Sequence, residues 1–140
     1  MSRIKIPFHT LPFALYLMAT LQASALQGVP DVKGRWSGTF HSNHSGVDPF
    51  TITVVIDADL KAHLVARSEL TSACMKGAKL TVTITGSEVV LAGSDKDGDS
   101  MTLRGTLDNT GTLLKSTYIL NGSATGGCET DDGTGTLTKQ

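Results

Sequence analysis

Apolar and polar positions alternate with a period of two along most of the chain. Phe50-Thr51-Ile52-Thr53-Val54-Val55-Ile56, Leu80-Thr81-Val82-Thr83-Ile84-Thr85 and Met101-Thr102-Leu103-Arg104-Gly105-Thr106-Leu107 all show it. In each run one face is apolar and the other carries mainly Thr or Arg, the pattern of a sheet with one side buried and one side wet. No segment keeps a helical period over three turns. Turn-forming clusters at 43–48, 57–61, 86–87, 95–98, 108–111 and 121–127 interrupt the runs. The pattern predicts eight strands, over 35–41, 49–56, 62–69, 79–85, 88–92, 100–107, 112–120 and 133–139. Short links make chain neighbours antiparallel partners. An open meander of this size leaves two unpaired edges, and closure removes them. The expected fold is therefore all-β, a single antiparallel up-and-down eight-stranded barrel with the first strand against the last. A two-sheet sandwich is the alternative. The expected inward set is Trp36, Phe40, Phe50, Ile52, Val54, Ile56, Leu64, Leu80, Val82, Ile84, Met101, Leu103, Leu107, Tyr118 and Leu137.

Residues 1–25 do not follow this pattern. Arg3 and Lys5 precede an apolar stretch over 11–21, which ends in Gln22 and the small-x-small triplet Ala23-Ser24-Ala25. That is the layout of a secretory signal peptide cleaved after Ala25. The stretch is about half of what spans a bilayer. The expected organisation is a signal peptide at 1–25, a short flexible segment at 26–32 and one β-barrel domain at 33–140. Without residues 1–25 the formal charge goes from −1 to −3, because Arg3 and Lys5 are lost. A chain of 140 residues with that balance is neither a multidomain enzyme nor a basic nucleic-acid binder. An outer-membrane barrel is also disfavoured. The strands are short, the aromatics too few for two girdles, and the chain ends in Thr138-Lys139-Gln140.

The chain has two cysteines, Cys74 and Cys128. In an oxidising compartment two cysteines of a small domain most often pair, and two separate buried thiols are the alternative. Their links follow the third and seventh expected strands, and odd-numbered links of a meander share one end of the barrel. Topology and pairing therefore support each other.

Gly34-Arg35-Trp36 on the first strand resembles the Gly-x-Trp signature of the calycin group, the lipocalin-like and avidin-like barrels. The wider set Gly34-Arg35-Trp36-Ser37-Gly38-Thr39-Phe40, Leu103-Arg104-Gly105-Thr106-Leu107 and Gly133-Thr134-Gly135-Thr136-Leu137 is similar to small bacterial secreted lipocalin-like domains. The resemblance covers most of 33–139. It implies a calycin-like barrel, a basic residue near the end of the last strand packing on the tryptophan, here Lys139, and an internal ligand cavity. Trp36, Phe40, Leu103 and Tyr118 are the cavity candidates. Biotin sites of avidins carry several tryptophans and this chain has one, so biotin binding does not carry over.

The remaining candidate chemistry is sparse. Asp95, Asp97 and Asp99 have the spacing of hard-cation ligands, but Ser100 and Leu107 stand where a calcium loop needs Gly and Glu. A polar hairpin tip is the favoured reading, with a weak calcium site behind it. His41 and His44 flank Ser42-Asn43 with Asp48 near, and read as surface residues, as does His63. No Ser-His-Asp set can be assembled from pattern, and no acid is clearly tied to a histidine. Asn43-His44-Ser45 and Asn121-Gly122-Ser123 match the glycosylation sequon. Trp36 and Phe40 share a face and read as core before they read as a carbohydrate platform. Small inward residues at Gly38, Ala66, Gly105 and Gly135 leave room near one end for a ligand. The expected function is a non-catalytic secreted or periplasmic binding domain for a small apolar ligand. The alternative is a solid-core interaction protein, an inhibitor of a secreted enzyme or an envelope accessory domain. Neither reading calls for a cofactor, a nucleic acid or a membrane after signal cleavage, and a monomer is expected.

Overall fold

A computed structural model describes residues 28–65 and 74–140. Expectations that fall on the signal peptide at 1–25, on 66–69 of the third strand and on Ala66 lie outside the described residues. Eight strands run through the described chain: β1 (Gly34–Ser42), β2 (Phe50–Ile56), β3 (Lys61–Leu64), β4 (Lys79–Thr85), β5 (Glu88–Ser94), β6 (Ser100–Leu107), β7 (Leu113–Asn121) and β8 (Asp131–Lys139). They form a closed barrel in chain order, every neighbour antiparallel, with β1 against β8. The all-β up-and-down barrel follows from the alternation of Thr with large apolar residues, and the sandwich does not form.

The strand registers explain the tight links. Thr85 pairs with Glu88, so β4 and β5 join through two residues, and Gly86 takes a φ of 60° that L side chains rarely adopt. Asp57 Oδ1 accepts the N–H groups of Asp59 and Lys61, which shapes the β2–β3 turn. Asp108 Oδ1 does the same for Thr112 and Leu113 at the β6–β7 turn.

Of the expected inward set, all but Phe50 and Ile84 are buried. Those two sit near strand ends, where the barrel opens, and are half-buried. The core also contains residues outside the expected set: Val89, Leu91, Leu114, Leu120, Met75, Ala78 and Val32. β5 reads Val89-Val90-Leu91-Ala92 and β7 opens Leu113-Leu114, so consecutive apolar residues hide which face is inward. Val32 and Met75 lie outside any strand, and periodicity does not reach them. Val32 closes the barrel from the segment before β1, where its carbonyl accepts the Trp36 indole N–H at 2.8 Å.

Candidate functional site

The interior is the expected ligand site, and its candidate residues lie in the hydrophobic core. Trp36, Phe40, Leu103 and Tyr118 each show 1% exposure or less. Phe40, Phe50 and Tyr118 pack as an aromatic trio, with ring centroids 5.4 to 6.3 Å apart. Among the described residues, the small ones expected to leave room, Gly38, Gly105 and Gly135, do not. A Cβ on Gly105 would lie 2.6 Å from both the Leu114 side chain and Ser116 Oγ, and one on Gly135 would lie 2.5 Å from the Phe40 ring. At Gly38 a Cβ would meet the Thr136 carbonyl at 1.8 Å, because the backbones of β1 and β8 close on each other there. Glycine spares volume in a narrow barrel, and neighbouring rings and strands take it.

The inward face of β8 explains how the two ends are finished. It reads Asp131, Gly133, Gly135, Leu137, Lys139, with a carboxylate at one mouth and an ammonium at the other. Lys139 Nζ lies 5.7 Å from the centroid of the Trp36 ring and donates to the Asp31 carbonyl at 2.9 Å. At the opposite mouth Asp131 accepts the Tyr118 hydroxyl at 2.5 Å and the Ser42 hydroxyl at 2.6 Å. Burial, together with the bond to the Asp131 carboxylate, pushes the Tyr118 phenol well above its ordinary value. Burial also pushes Asp131 up, but the hydrogen bonds from Ser42 and Tyr118, with His44 nearby, outweigh it and hold the carboxyl below the usual range.

That mouth also joins residues that no local pattern relates. His44 Nε2 lies 3.0 Å from Asp132 Oδ1 and 3.9 Å from Asp131 Oδ1, and Asn43 donates to Asp132 at 2.7 Å. A histidine is therefore tied to acids, contrary to the expectation from pattern, because the β1–β2 and β7–β8 links share one end of the barrel across 88 residues. The cluster borders a hollow of about 390 Å³ lined by His44, Val47, Phe50, Leu120 and Asp131 among others. The Ser42 hydroxyl proton goes to Asp131, and its oxygen accepts the His44 backbone N–H at 2.9 Å. A serine activated for attack gives its proton to the imidazole, and this arrangement sends it elsewhere.

The aspartates of the β5–β6 link build a clamp. Asp99 is fully buried, and its carboxylate accepts the N–H groups of Ser123, Gly127 and Cys128 at 2.7 to 2.9 Å. These bonds, that from Ser123 first, hold it below the usual carboxylate range against the opposing cost of burial. Asp95 Oδ1 accepts the N–H groups of Asp97 and Asp99, and Asp97 pairs with Lys96. The three aspartates thus face three different partners rather than one point, and no group of three or more acidic, His or Cys side chains among the described residues converges as a cation would need. The disulfide Cys74–Cys128, with Cα atoms 4.5 Å apart, ties the same β7–β8 link to the β3–β4 link.

A concavity of about 790 Å³ lies outside the barrel, over β6, β7, β8 and the adjoining part of β1. Its floor is the row Gly105, Ser116, Gly135, aligned across the three strands. Small residues at this level let the sheet sink towards the core, and the outward side chains on either side become banks. One bank is Glu88, Thr106, Lys115 and Thr136, and the other is Arg104, Thr117, Thr134 and His41. Arg104 is salt-bridged to Glu88. The sequence carries a signal for this trench, the repeated Gly-Thr-Leu of β6 and β8, which reads there as strand composition.

Comparison with protein-family models and with curated proteins gives no match to this chain.

Proposed function

We propose that this protein is a non-catalytic extracytoplasmic binding domain that works through its outer surface, with a solid barrel as scaffold. The observation that carries the reading is the burial of the interior candidates, with Trp36, Phe40, Leu103 and Tyr118 all at 1% exposure or less. An eight-stranded barrel is at the size where side chains can fill it or one small ligand can be held, and the burial of these four residues favours the first. The disulfide is consistent with an oxidising compartment, and the signal-like residues 1–25 support export. No helix among the described residues is long and apolar enough to cross a membrane. The commitment of Ser42 and Tyr118 to Asp131 supports binding over catalysis. A calycin-like ancestry agrees with Gly34-Arg35-Trp36 on β1 and with Lys139 over the indole ring.

A second reading, a carrier of a small apolar ligand, has one observation in its favour. A concavity of about 590 Å³ at the even-numbered end is lined by Val29, Pro30, Ile84 and Leu107. Native mass spectrometry of protein exported by its own host, with Trp36 fluorescence, separates the two. The surface reading expects the bare oxidised chain and a Trp36 emission that apolar dyes leave unchanged. A co-purifying apolar molecule that quenches Trp36 would replace it with the carrier reading.

A further inference from the structure

The outer trench has features that narrow its ligand. Every strand has a partner on both sides, so backbone groups in mid-sheet are engaged in the barrel and recognition falls to side chains. The hydroxyls of Thr39, Thr106, Thr134 and Thr136 have no hydrogen-bond partner among the described residues, and each can both donate and accept. Lys115 and His41 have no ion pair among the described residues, and Arg104 is shared with Glu88, the one acid in the lining. The trench therefore presents cations and hydroxyls together, and it runs across the strands. From β6 to β1 it crosses three strand spacings, about 14 Å in all.

We propose that this trench binds an acidic oligosaccharide of the uronic-acid type, with carboxylates on Lys115 and Arg104 and ring hydroxyls on the threonines, an assignment that rests on the surface-binding reading above. A pyranose unit is about as long as one strand spacing, so successive sugars meet successive strands. An acidic peptide fits less well. It finds no strand edge here to pair with, and its N–H and C=O groups would be desolvated without regular partners. Hydroxyl groups of a sugar match threonine hydroxyls in either role. Charge selects the acidic sugar over a neutral one, which would otherwise call for the broad faces of Trp, Tyr or Phe, and none of these lines the trench.

The test is a titration of the disulfide-bonded mature chain with tetragalacturonic acid, followed by amide chemical shifts and calorimetry. Cellotetraose and a tetraglutamate peptide serve as neutral and peptidic comparisons. Tetragalacturonate is expected to shift amides of β6, β7 and β8 and to bind more weakly as salt rises. Lys115→Ala and Arg104→Ala are each expected to weaken binding by about tenfold, the scale of a lost charged hydrogen bond. Glu88→Gln is expected to tighten it, because it frees Arg104 and removes the opposing charge. Thr81→Ala on β4, outside the trench, is expected to change nothing. Equal binding of cellotetraose, preference for tetraglutamate, or no response to any of the three would overturn the proposal. If Trp36 also stays insensitive to apolar dyes, the surface-binding reading stands and only this ligand class falls. If a dye enters and quenches Trp36, the surface reading falls as well.

Discussion

Single residues at the two mouths carry much of the barrel's chemistry. Trp36 is 1% exposed, with its N–H bonded to Val32 and its face under Lys139. Trp36→Ala is expected to cost about 3–5 kcal/mol, read from denaturant midpoints, and a loss below about 1 kcal/mol would place the indole at the surface. Asp99, Asp108 and Asp131 all have native carboxyls below the ordinary range, Asp108 at about 2 through the Thr110 hydroxyl and the backbone N–H groups around it. A depressed native value adds stability above the unfolded value, about 3.9, and loses it as pH falls through the native one. Acid destabilisation is therefore expected between about pH 4 and about pH 2, and Asp99→Asn should flatten that limb of the stability profile. Tyr118 behaves in the opposite sense. Its raised native value favours the folded state below the unfolded phenol value, about 10, and the advantage is lost as pH rises past it. Tyr118→Phe should remove that alkaline dependence while the acid limb persists.

At the scale of elements, glycines decide where strands touch and where the sheet sinks. Gly38 and Gly93 face the carbonyls of Thr136 and Lys79, where an added Cβ would come within 2.0 Å or less. Gly38→Ala is expected to force β1 and β8 apart at their closure and to destabilise by about 1–3 kcal/mol, as overpacking does. Amide exchange should then rise along β1 and β8 first. Gly111 differs, because an added Cβ there meets nothing within 4 Å and only its φ of 70° is strained. Its alanine variant should cost about 1–2 kcal/mol without local opening of the barrel. The choice of inner face on β1 and β2 is a separate matter, set by alternation rather than by glycine. Their alternation placed Trp36, Phe40, Ile52 and Val54 on the inner face from spacing alone.

For the whole molecule, one end of the barrel is held by two devices on the same link. The β7–β8 link is joined to Cys74 by the disulfide and to Asp99 by three N–H bonds. The bridge closes a separation of 54 residues, worth about 4 kcal/mol in the chain-entropy treatment. The double variant Cys74→Ser with Cys128→Ser should melt well below the parent, and loss of the clamp in addition should act on a shared loop and so add non-independently. Non-reducing peptide mapping should join the peptides holding Cys74 and Cys128. Intact mass of exported protein is expected to begin at Leu26, and a full-length membrane-bound product would remove the export reading.

Strand number, antiparallel order and the disulfide were legible in the sequence, because each depends on local spacing and on which links share an end. Pleated backbone sends alternate side chains to opposite faces whatever surrounds them, so most of the expected inward residues are buried, while the consecutive apolar residues of β5 and β7 hid Val89, Leu91, Leu114 and Leu120. Phe50 and Ile84 escaped because burial falls off at a barrel's mouth, a property of closure rather than of spacing. The tie of His44 to Asp131 and Asp132, the turn of Asp99 into a loop of N–H donors, and the occupation of the space beside Gly105 and Gly135 were decided by tertiary structure alone. In each, the partners lie on different strands or links, and their distance depends on register, barrel radius and the direction of individual side chains. The same holds for the outer trench. Its threonines are ordinary strand residues in the sequence, and they line one concave surface only because three small inward residues fall at the same level of the closed sheet.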